Sequence, residues 1–376
     1  MRLEIEGGTT HMLAECFKNG INLGGWLSQY DCLEASPGTE QEMEHHLDTY
    51  MTQEDMKRIA GWGFDHVRLP IDYRLFDERE AGRRYREKAI ACMDKCAEWC
   101  GKYHLNLVID LHDAEGNIYG KMDAPMPLLT EEKLQQKFIG FWEWMAHHFL
   151  GVQTPVLLFE LLNEVSDGSG YLWNRLYRRT VERIRGIDAK RGILIGSNGQ
   201  NSPFRLKELE LLEDAGVLYN FHFYDPQVFT HQRASFSEEM TAYDRVVHYP
   251  DDISDFTGFL QRNRQFLPKY AHVAMEARVD RERMKALLKD AFDFRRYSGR
   301  ELYCGEFGVI DSARDADAVS WIGDCARLLE EQRIGHCLWN YKALNFGLLD
   351  EKGRAVSQER LEGVLQALGG TDRVCG

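Results

Sequence analysis

The sequence has no uninterrupted apolar stretch long enough to cross a lipid bilayer, which argues against a membrane-spanning helical protein. It also has no excess of basic residues, since 60 acidic and 46 basic residues give a formal net charge of −14. A surface of that charge repels phosphate backbones and anionic lipid surfaces. We therefore expect neither nucleic acid nor a membrane as a partner.

The N-terminal segment lacks the apolar core and small-residue cleavage site of a signal peptide, because its charged and apolar residues alternate. The nine cysteines are an odd number and follow no regular framework. This pattern is typical of free thiols in a reducing compartment. Together these features predict a cytoplasmic protein.

No metal or cofactor is expected. Cys92, Cys96 and Cys100 lie on one helical stripe with apolar residues, a pattern that favours core packing over a metal cluster. The histidine pairs 45–46 and 147–148 lack a spaced carboxylate or further histidine, and indicate surface or helix-end residues.

The chain also lacks linkers of Gly, Ser or Pro, low-complexity tracts and short repeats. What recurs instead is a short apolar run of strand type, found eight times. The eight runs are 20–24, 64–69, 105–112, 156–164, 192–197, 217–224, 301–308 and 335–341. Amphipathic segments separate them, one of which begins with Thr52 as a helix N-cap followed by Asp55.

Strands that are apolar on both faces and alternate with helices form parallel sheets. Eight such units predict an α/β fold, a (β/α)8 TIM barrel, as a single catalytic domain over residues 1–376. A barrel of this kind takes about 250 residues, so the chain has a surplus. The surplus is predicted to form an insertion, residues 225–300, after the sixth strand.

Polar residues stand at the C-terminal ends of the predicted strands, where a parallel barrel places its active site. Each residue alone has an ordinary structural explanation, but packing of a hydrophobic core does not explain all of them together. The set is Arg68, His112, Asn163, Glu164, His222, Tyr224, Glu306 and Trp339. Trp26 follows the first strand, and is interpreted either as a further cleft residue or as a plug of the barrel mouth.

Glu164 and Glu306 are two carboxylates, far apart in sequence, that the fold brings to one cleft. Glycoside hydrolysis requires such a pair, one protonating the leaving oxygen and one attacking or shielding the anomeric carbon. Arg68 and Tyr224 are candidate donors that would keep one carboxylate ionised. A retaining mechanism predicts carboxyl groups about 5 to 5.5 Å apart.

The ordered strand motifs resemble those of glycoside hydrolase family 5, the cellulase and mannanase family of clan A. The motifs are GINLGGWL, HVRLP, VIDLH, FELLNE, FHFY, CGEFG and CLWNY, and they span Gly20 to about Asp350. The resemblance implies a retaining hydrolase with Glu164 as general acid/base and Glu306 as nucleophile.

The resemblance also implies roles for the other strand-end residues. Arg68 and Tyr224 would orient Glu306, and His222 would lie beside the acid/base. The remaining substrate-binding residues would be His112 and Asn163 at sugar hydroxyls, with Trp339 as the floor beneath the sugar.

The motifs leave the substrate open among β-glucosidic oligosaccharides and β-mannosides, and endo or exo action open as well. We hypothesise that the insertion closes one end of the cleft and favours short substrates, with Phe229, Tyr243 and Tyr249 at sugar sites or simply in its own packing. Transglycosylation stays open. A catalytically silent carbohydrate-binding barrel and a barrel enzyme that abstracts a proton from carbon are the alternatives from other classes, and the oligomeric state is not predicted.

Overall fold

A closed barrel of eight parallel strands forms the centre of the computed structural model, which describes residues 15–117, 126–153, 156–270 and 278–369. The strands of the described ranges are Asn19–Asn22 (β1), His66–Asp72 (β2), Asn106–Asp113 (β3), Leu157–Glu160 (β4), Gly192–Gly196 (β5), Val217–Phe223 (β6), Asp251–Asp252 (β7), Arg278–Val279 (β8), Leu302–Phe307 (β9) and Gly335–Leu338 (β10). Around the barrel they follow the order β1-β10-β9-β6-β5-β4-β3-β2, while β7 and β8 form a separate antiparallel pair.

The predicted (β/α)8 barrel is therefore confirmed, and each of the eight predicted runs contributes one barrel strand. The bounds differ where the chain leaves the sheet early. β4 ends at Glu160 and β10 at Leu338, so the polar residues that follow them lie in loops at the barrel mouth.

Helices cover the outside of the barrel. In the described part of the chain they are Glu40–Thr49, Gln53–Gly61, Tyr73–Phe76, Glu78–Tyr103, Pro127–Thr130, Glu132–His148, Tyr171–Ile187, Asn198–Asn201, Gln227–Thr230, Glu238–Tyr243, Ser254–Arg262, Arg281–Leu287, Lys289–Ser298, Asp315–Glu331 and Gln358–Ala367, with 3-10 turns at Tyr30–Cys32, Pro203–Glu208 and Arg264–Phe266. The predicted cap is present, since the Thr52 hydroxyl accepts from the Asp55 N–H and the Asp55 carboxylate accepts from the Thr52 N–H. Such reciprocal bonds satisfy two N–H groups that a helix start otherwise leaves unpaired.

The barrel interior has an apolar lower layer and a polar upper layer. The lower layer, near the N-terminal ends of the strands, consists of Phe17, Val108, Leu158, Leu194, Leu218, Tyr303 and Cys337. Two residues further along β3, β4 and β6, the inward positions hold Asp110, Glu160 and Asn220, all fully buried. Side chains two residues apart on a strand point to the same face. Each of these strands therefore passes from the apolar layer to the polar layer within two residues.

The cysteine stripe packs in the helix layer, as predicted. Cys92, Cys96 and Cys100 are at most 1% exposed in Glu78–Tyr103. Of the histidine pairs, His148 pairs with Asp94 at the helix end. His46 lies in the last turn of the helix Glu40–Thr49, which agrees with the helix-end interpretation, although its ring is 9% exposed and bonds to a backbone carbonyl oxygen.

The segment between β6 and β9 is built largely of short helices and the β7–β8 pair, although its residues 271–277 lie outside the described ranges. It packs on the helix Asp315–Glu331, where the Tyr249 hydroxyl donates to Asp324 at 3.0 Å. Phe229 and Tyr249 are 0% and 4% exposed and contact each other. Tyr243 packs against two phenylalanines of the same segment. The packing interpretation therefore holds for Phe229 and Tyr249, which lie in the core of the insertion, while Tyr243 is partly buried against it.

Among the residues that the structure describes, no helix combines the length and apolarity needed to cross a membrane. The first fourteen residues, on which the signal-peptide argument depends, lie outside the described ranges.

Candidate active site

Arg68 is the centre of the polar layer and is fully buried on β2. A guanidinium has five N–H groups, and each has an acceptor here. Nε and Nη2 donate to the two oxygens of Glu160 at 2.7 and 2.9 Å. Nη1 donates to Asn22 and to Glu306, and the second Nη2 hydrogen goes to Asn163. The side chain thus connects β1, β4, β9 and the loop after β4.

Glu306 lies near the end of β9 and is 5% exposed. Its Oε1 accepts from Arg68 Nη1 at 2.8 Å and its Oε2 from the Tyr224 hydroxyl at 2.9 Å. Both carboxylate oxygens are thereby held in place at the barrel mouth.

Asn163 and Glu164 stand where the chain turns out of the barrel after β4. The Asn163 N–H still bonds to the Leu111 carbonyl at 3.0 Å, which extends the pairing with β3. Glu164 then adopts a φ of 45°, a left-handed conformation that is costly for a non-glycine residue and is typical of functional sites. The turn leaves Glu164 with 14% side-chain exposure, while Asn163 stays fully buried.

The Asn163 side chain is only half satisfied by the protein. Its Oδ1 accepts from Arg68, but Nδ2 is buried and has no hydrogen-bond partner within the described residues. A buried donor of this kind costs free energy unless a ligand accepts from it.

His222, on β6, connects the two glutamates. Its Nδ1 lies 2.9 Å from Glu164 Oε1 and 3.7 Å from Glu306 Oε2. Burial lowers the pKa of His222 to about 4, so the ring is neutral near pH 7. Because Asn201 Nδ2 lies 3.0 Å from Nε2 and is a donor, we assign the proton to Nδ1, which donates to Glu164.

Glu164, His222 and Glu306 offer donor atoms that all lie within 4.8 Å of one another. Within the described ranges this is the one group of three or more such residues arranged closely enough to hold a metal ion. One carboxylate oxygen of Glu164 therefore lies within 4.8 Å of one carboxylate oxygen of Glu306. Oxygens this close agree with the retaining geometry, in which the two carboxyl groups lie about 5 to 5.5 Å apart.

His112 and Trp339 form one wall of the site. The rings are stacked, with centroids 5.6 Å apart and planes at 6°, and their side chains are nearly buried. His112 Nδ1 lies 2.8 Å from Asp110 Oδ2, so the ring is held from behind by a carboxylate. Burial lowers the pKa of His112, which is therefore neutral as well.

Trp26 is not part of this cleft, and its prediction as a substrate-binding residue is wrong. The chain turns at Gly25, whose φ is 93°, and directs the indole into the helix layer. There Trp26 is 1% exposed, stacks on Trp99 at 6.2 Å and donates from Nε1 to the Leu47 carbonyl.

The structure brings the other predicted site residues together and adds several polar residues that were not predicted. The additional residues are Asn22, Asp110, Glu160, Asn201 and Asn220. The signal for two of them was present in the sequence, since Asp110 and Asn220 precede His112 and His222 by two residues and so share their face of the strand.

The site thus has two carboxylates on either side of one small space, with unequal surroundings. Glu306 is fixed by a cation and a hydroxyl, and Glu164 is contacted by a neutral imidazole. This arrangement suits a reaction in which one carboxylate attacks while the other transfers a proton. A stacked aromatic wall suits the apolar C–H face of a sugar.

Comparison with known proteins agrees with this chemistry. The sequence model described as Cellulase (glycosyl hydrolase family 5) matches residues 33–345. Endoglucanase C of Acetivibrio thermocellus is 41% identical over 347 residues, covering 91% of this chain and 96% of that protein. Cellodextrinase A of Ruminococcus flavefaciens is 33% identical over 303 residues, covering 80% and 79%.

Solved structures share the fold. Thermotoga maritima Cel5A in complex with cellobiose gives a TM-score of 0.71 at 21% identity, covering 96% of this chain and 99% of that one. The same enzyme in complex with mannotriose gives a TM-score of 0.70 at 22% identity, covering 94% and 99%.

Proposed function

The chain belongs to the cellulase family, glycosyl hydrolase family 5, and from this we propose that it hydrolyses β-linked gluco-oligosaccharides by double displacement, with Glu164 as general acid/base and Glu306 as nucleophile. The observation that carries the proposal is the pair of carboxylates, with oxygens within 4.8 Å of each other across one space. Membership of this family makes the chain an O-glycosyl hydrolase of the retaining type.

In the first step a Glu306 oxygen forms a bond to the anomeric carbon while the bond to the leaving oxygen breaks. Glu164 gives its proton to that oxygen, and the first product leaves. The donors on Glu306 support this assignment, because Arg68 and Tyr224 hold its two oxygens in place for attack.

In the second step Glu164, now a carboxylate, takes a proton from water, and the water oxygen bonds to the anomeric carbon. The bond to Glu306 breaks, which frees its carboxylate and restores the starting protonation states. Two inversions give net retention of the anomeric configuration.

Asn163 and the aromatic wall position the sugar. The unpartnered Nδ2 of Asn163 would donate to the 2-hydroxyl next to the anomeric carbon, a bond that strengthens in the transition state. Trp339 would lie beneath the ring as its floor, and His112 would bond a further hydroxyl.

The names of the relatives support a glucan substrate, since two of them are an endoglucanase and a cellodextrinase. A β-mannoside is the second candidate, because Thermotoga maritima Cel5A, which shares the fold, is solved in complex with mannotriose as well as with cellobiose. Steady-state rates on 4-nitrophenyl β-cellobioside, β-glucoside and β-mannoside, followed by product profiles on cello- and manno-oligosaccharides, would decide between them. Predominant cleavage of mannosides would overturn the glucan assignment, and oligosaccharides longer than the substrate would indicate transglycosylation.

The roles of the two glutamates separate in alanine variants supplied with azide, a small nucleophile that needs no general base. Glu164→Ala should yield a β-glycosyl azide, because Glu306 still forms the intermediate. Glu306→Ala should yield an α-glycosyl azide by direct displacement. The reverse products would exchange the two assignments, and undiminished hydrolysis in both variants would refute the mechanism in favour of another site.

A cytoplasmic location stays a proposal. It is supported by the cysteines of the described ranges, which are all free thiols. Cell fractionation with an antibody against the protein would test it. We likewise propose that the segment 225–300 belongs to the single catalytic domain, since it packs on the helix Asp315–Glu331.

A further inference from the structure

Asp110 is a buried carboxylate directly behind the cleft, and the mechanism above gives it no role. It lies on β3, is 0% exposed, and is the register partner of Glu160 on β4. Its Oδ2 lies 2.8 Å from His112 Nδ1 and 3.0 Å from Arg68 Nη2. Its Oδ1 has no hydrogen-bond partner within the described part of the chain.

Arg68 neutralises Asp110 only in part. All five guanidinium hydrogens have better-placed acceptors on Glu160, Asn22, Glu306 and Asn163, so the Asp110 contact is an attraction between charges without a hydrogen of its own. Several further ionisable groups face the Asp110–His112 pair from neighbouring elements. They are Glu160 on β4, Glu164 after β4, His222 on β6 and Glu306 on β9.

These surroundings favour a proton on Asp110. Burial raises its pKa to about 7, the charge of Glu164 adds to the effect, and Arg68 opposes it. His112 stays neutral, because burial lowers its pKa. When the pair takes up one proton from solvent, that proton binds at Nε2, and the hydrogen in the 2.8 Å contact passes from Nδ1 to Oδ2.

We propose that Asp110 is a positioning residue that sets the tautomer of His112 and thereby decides whether the ring accepts from or donates to a sugar hydroxyl in the cleft. With Asp110 ionised, Nδ1–H donates to the carboxylate and Nε2 carries a lone pair. With Asp110 protonated, its O–H donates to Nδ1 and the ring proton sits on Nε2. The positional role of His112 rests on the proposed function, whereas the tautomer change is a property of the pair itself.

The direct test follows the ring nitrogens of His112 in the full-length protein labelled with ¹⁵N-histidine. Nitrogen chemical shifts distinguish N–H from lone-pair nitrogens, and a His112→Gln spectrum identifies the signals. We expect Nδ1 and Nε2 to exchange character between pH 6 and 8. A single tautomer throughout that range would overturn the proposal, whatever the enzyme hydrolyses.

Asp110→Asn gives the matched perturbation. The amide oxygen replaces Oδ2, accepts from His112 Nδ1–H, and fixes the high-pH tautomer without a titrating proton. In the wild type we expect KM for a cello-oligosaccharide to change about fivefold between pH 6 and 8, the effect of one neutral hydrogen bond. In Asp110→Asn, KM should stay within twofold of the wild-type value at pH 8.

Glu160→Gln is the control, because Glu160 shares Arg68 with Asp110 but has no contact with His112. This variant should keep the tautomer change but show it at lower pH, because one of the negative charges that share Arg68 is removed. If it loses the change as Asp110→Asn does, the effect belongs to the charge of the whole cluster, and the specific role of Asp110 is refuted. Should Asp110→Asn fail to fold, the wild-type nitrogen titration and the Glu160→Gln comparison remain decisive. A tautomer change without any glycoside turnover would refute the proposed function and leave the Asp110–His112 coupling standing.

Discussion

The hydroxyl of Tyr224 offers the sharpest measure of how much the fixed carboxylate contributes to catalysis. Tyr224→Phe removes the 2.9 Å hydrogen bond to Glu306 Oε2 and leaves the bond from Arg68 to Oε1 in place. A hydrogen bond to a charged group contributes about 1.5 to 3 kcal/mol. At about 1.4 kcal/mol per factor of ten, kcat/KM should fall about 10- to 150-fold.

The assay is the initial rate on 4-nitrophenyl β-cellobioside, whose good leaving group makes attack by Glu306 easy to observe. Because the bond acts on the nucleophile and not on the sugar, the loss should appear mainly in kcat. Circular dichroism and denaturant unfolding establish that the variant is folded.

Tyr249→Phe is the matched control. Tyr249 also donates to a carboxylate, Asp324 at 3.0 Å, and is 4% exposed, but it lies in the insertion against the helix Asp315–Glu331. This variant should lose stability and keep kcat/KM within twofold of the wild type. If Tyr224→Phe also stays within twofold, the reasoning that assigns Glu306 as a donor-fixed nucleophile is refuted.

Other positions give independent tests. Asn163→Ala should lower kcat on cello-oligosaccharides about 10²-fold with little change in KM, because its free Nδ2 acts in the transition state; an effect confined to KM would contradict this. Thr52→Ala should lower the free energy of unfolding in urea by about 1 kcal/mol, because the helix loses its cap, and activity should not change. An unchanged unfolding midpoint would show that the cap does not stabilise the fold. Burial lowers the pKa of His231 to about 3, so the folded chain stays neutral there while the unfolded chain binds a proton below about 6.5. At a pH well above 6.5 the neutral ring costs the fold nothing, because neither state binds a proton at His231. As the pH falls from there towards 3, the unfolded chain is favoured, and the free energy of unfolding is about 2 kcal/mol lower at pH 5. His231→Gln should therefore lose about 2 kcal/mol less than the wild type between pH 7 and 5, and an identical pH dependence would exclude the linkage.

The barrel was predictable because its signal is local and repeated. Each strand is a short run that is apolar towards the helices, and the order of eight such runs separated by helices leaves few topologies. The strand-end residues were predictable for the same reason, since a parallel barrel collects them at one rim. Trp26 escaped this logic because it follows the end of β1, where the alternation of a strand no longer decides which way a side chain points, and its indole packs on Trp99 in the helix layer.

The buried polar layer was harder to predict, because its residues occur within strands that otherwise read as apolar. Asp110 in VIDLH and Glu160 in LFELL look like isolated charges that a solvent-facing position would explain equally well. Only the closed barrel shows that both point at Arg68, which comes from a distant part of the sequence. Pairing between strands, and not the pattern within one strand, determines these contacts. The core aromatics of the insertion illustrate the same limit, since sequence spacing alone could not separate Phe229 as a sugar contact from Phe229 as packing.

One cation shared among several carboxylates links the nucleophile to the rest of the interior. Arg68 supplies hydrogen bonds to Glu160 and Glu306 and charge alone to Asp110, so with all three carboxylates ionised the buried negative charges would outnumber the positive one. Such an excess is costly unless one group binds a proton. The proton is best placed on Asp110, because Glu160 has two bonds from Arg68 and one from Asn220, and Glu306 has donors on both oxygens. A neutral Asp110 therefore removes one of the negative charges that share Arg68, which ties the tautomer of His112 to the charge balance around the nucleophile.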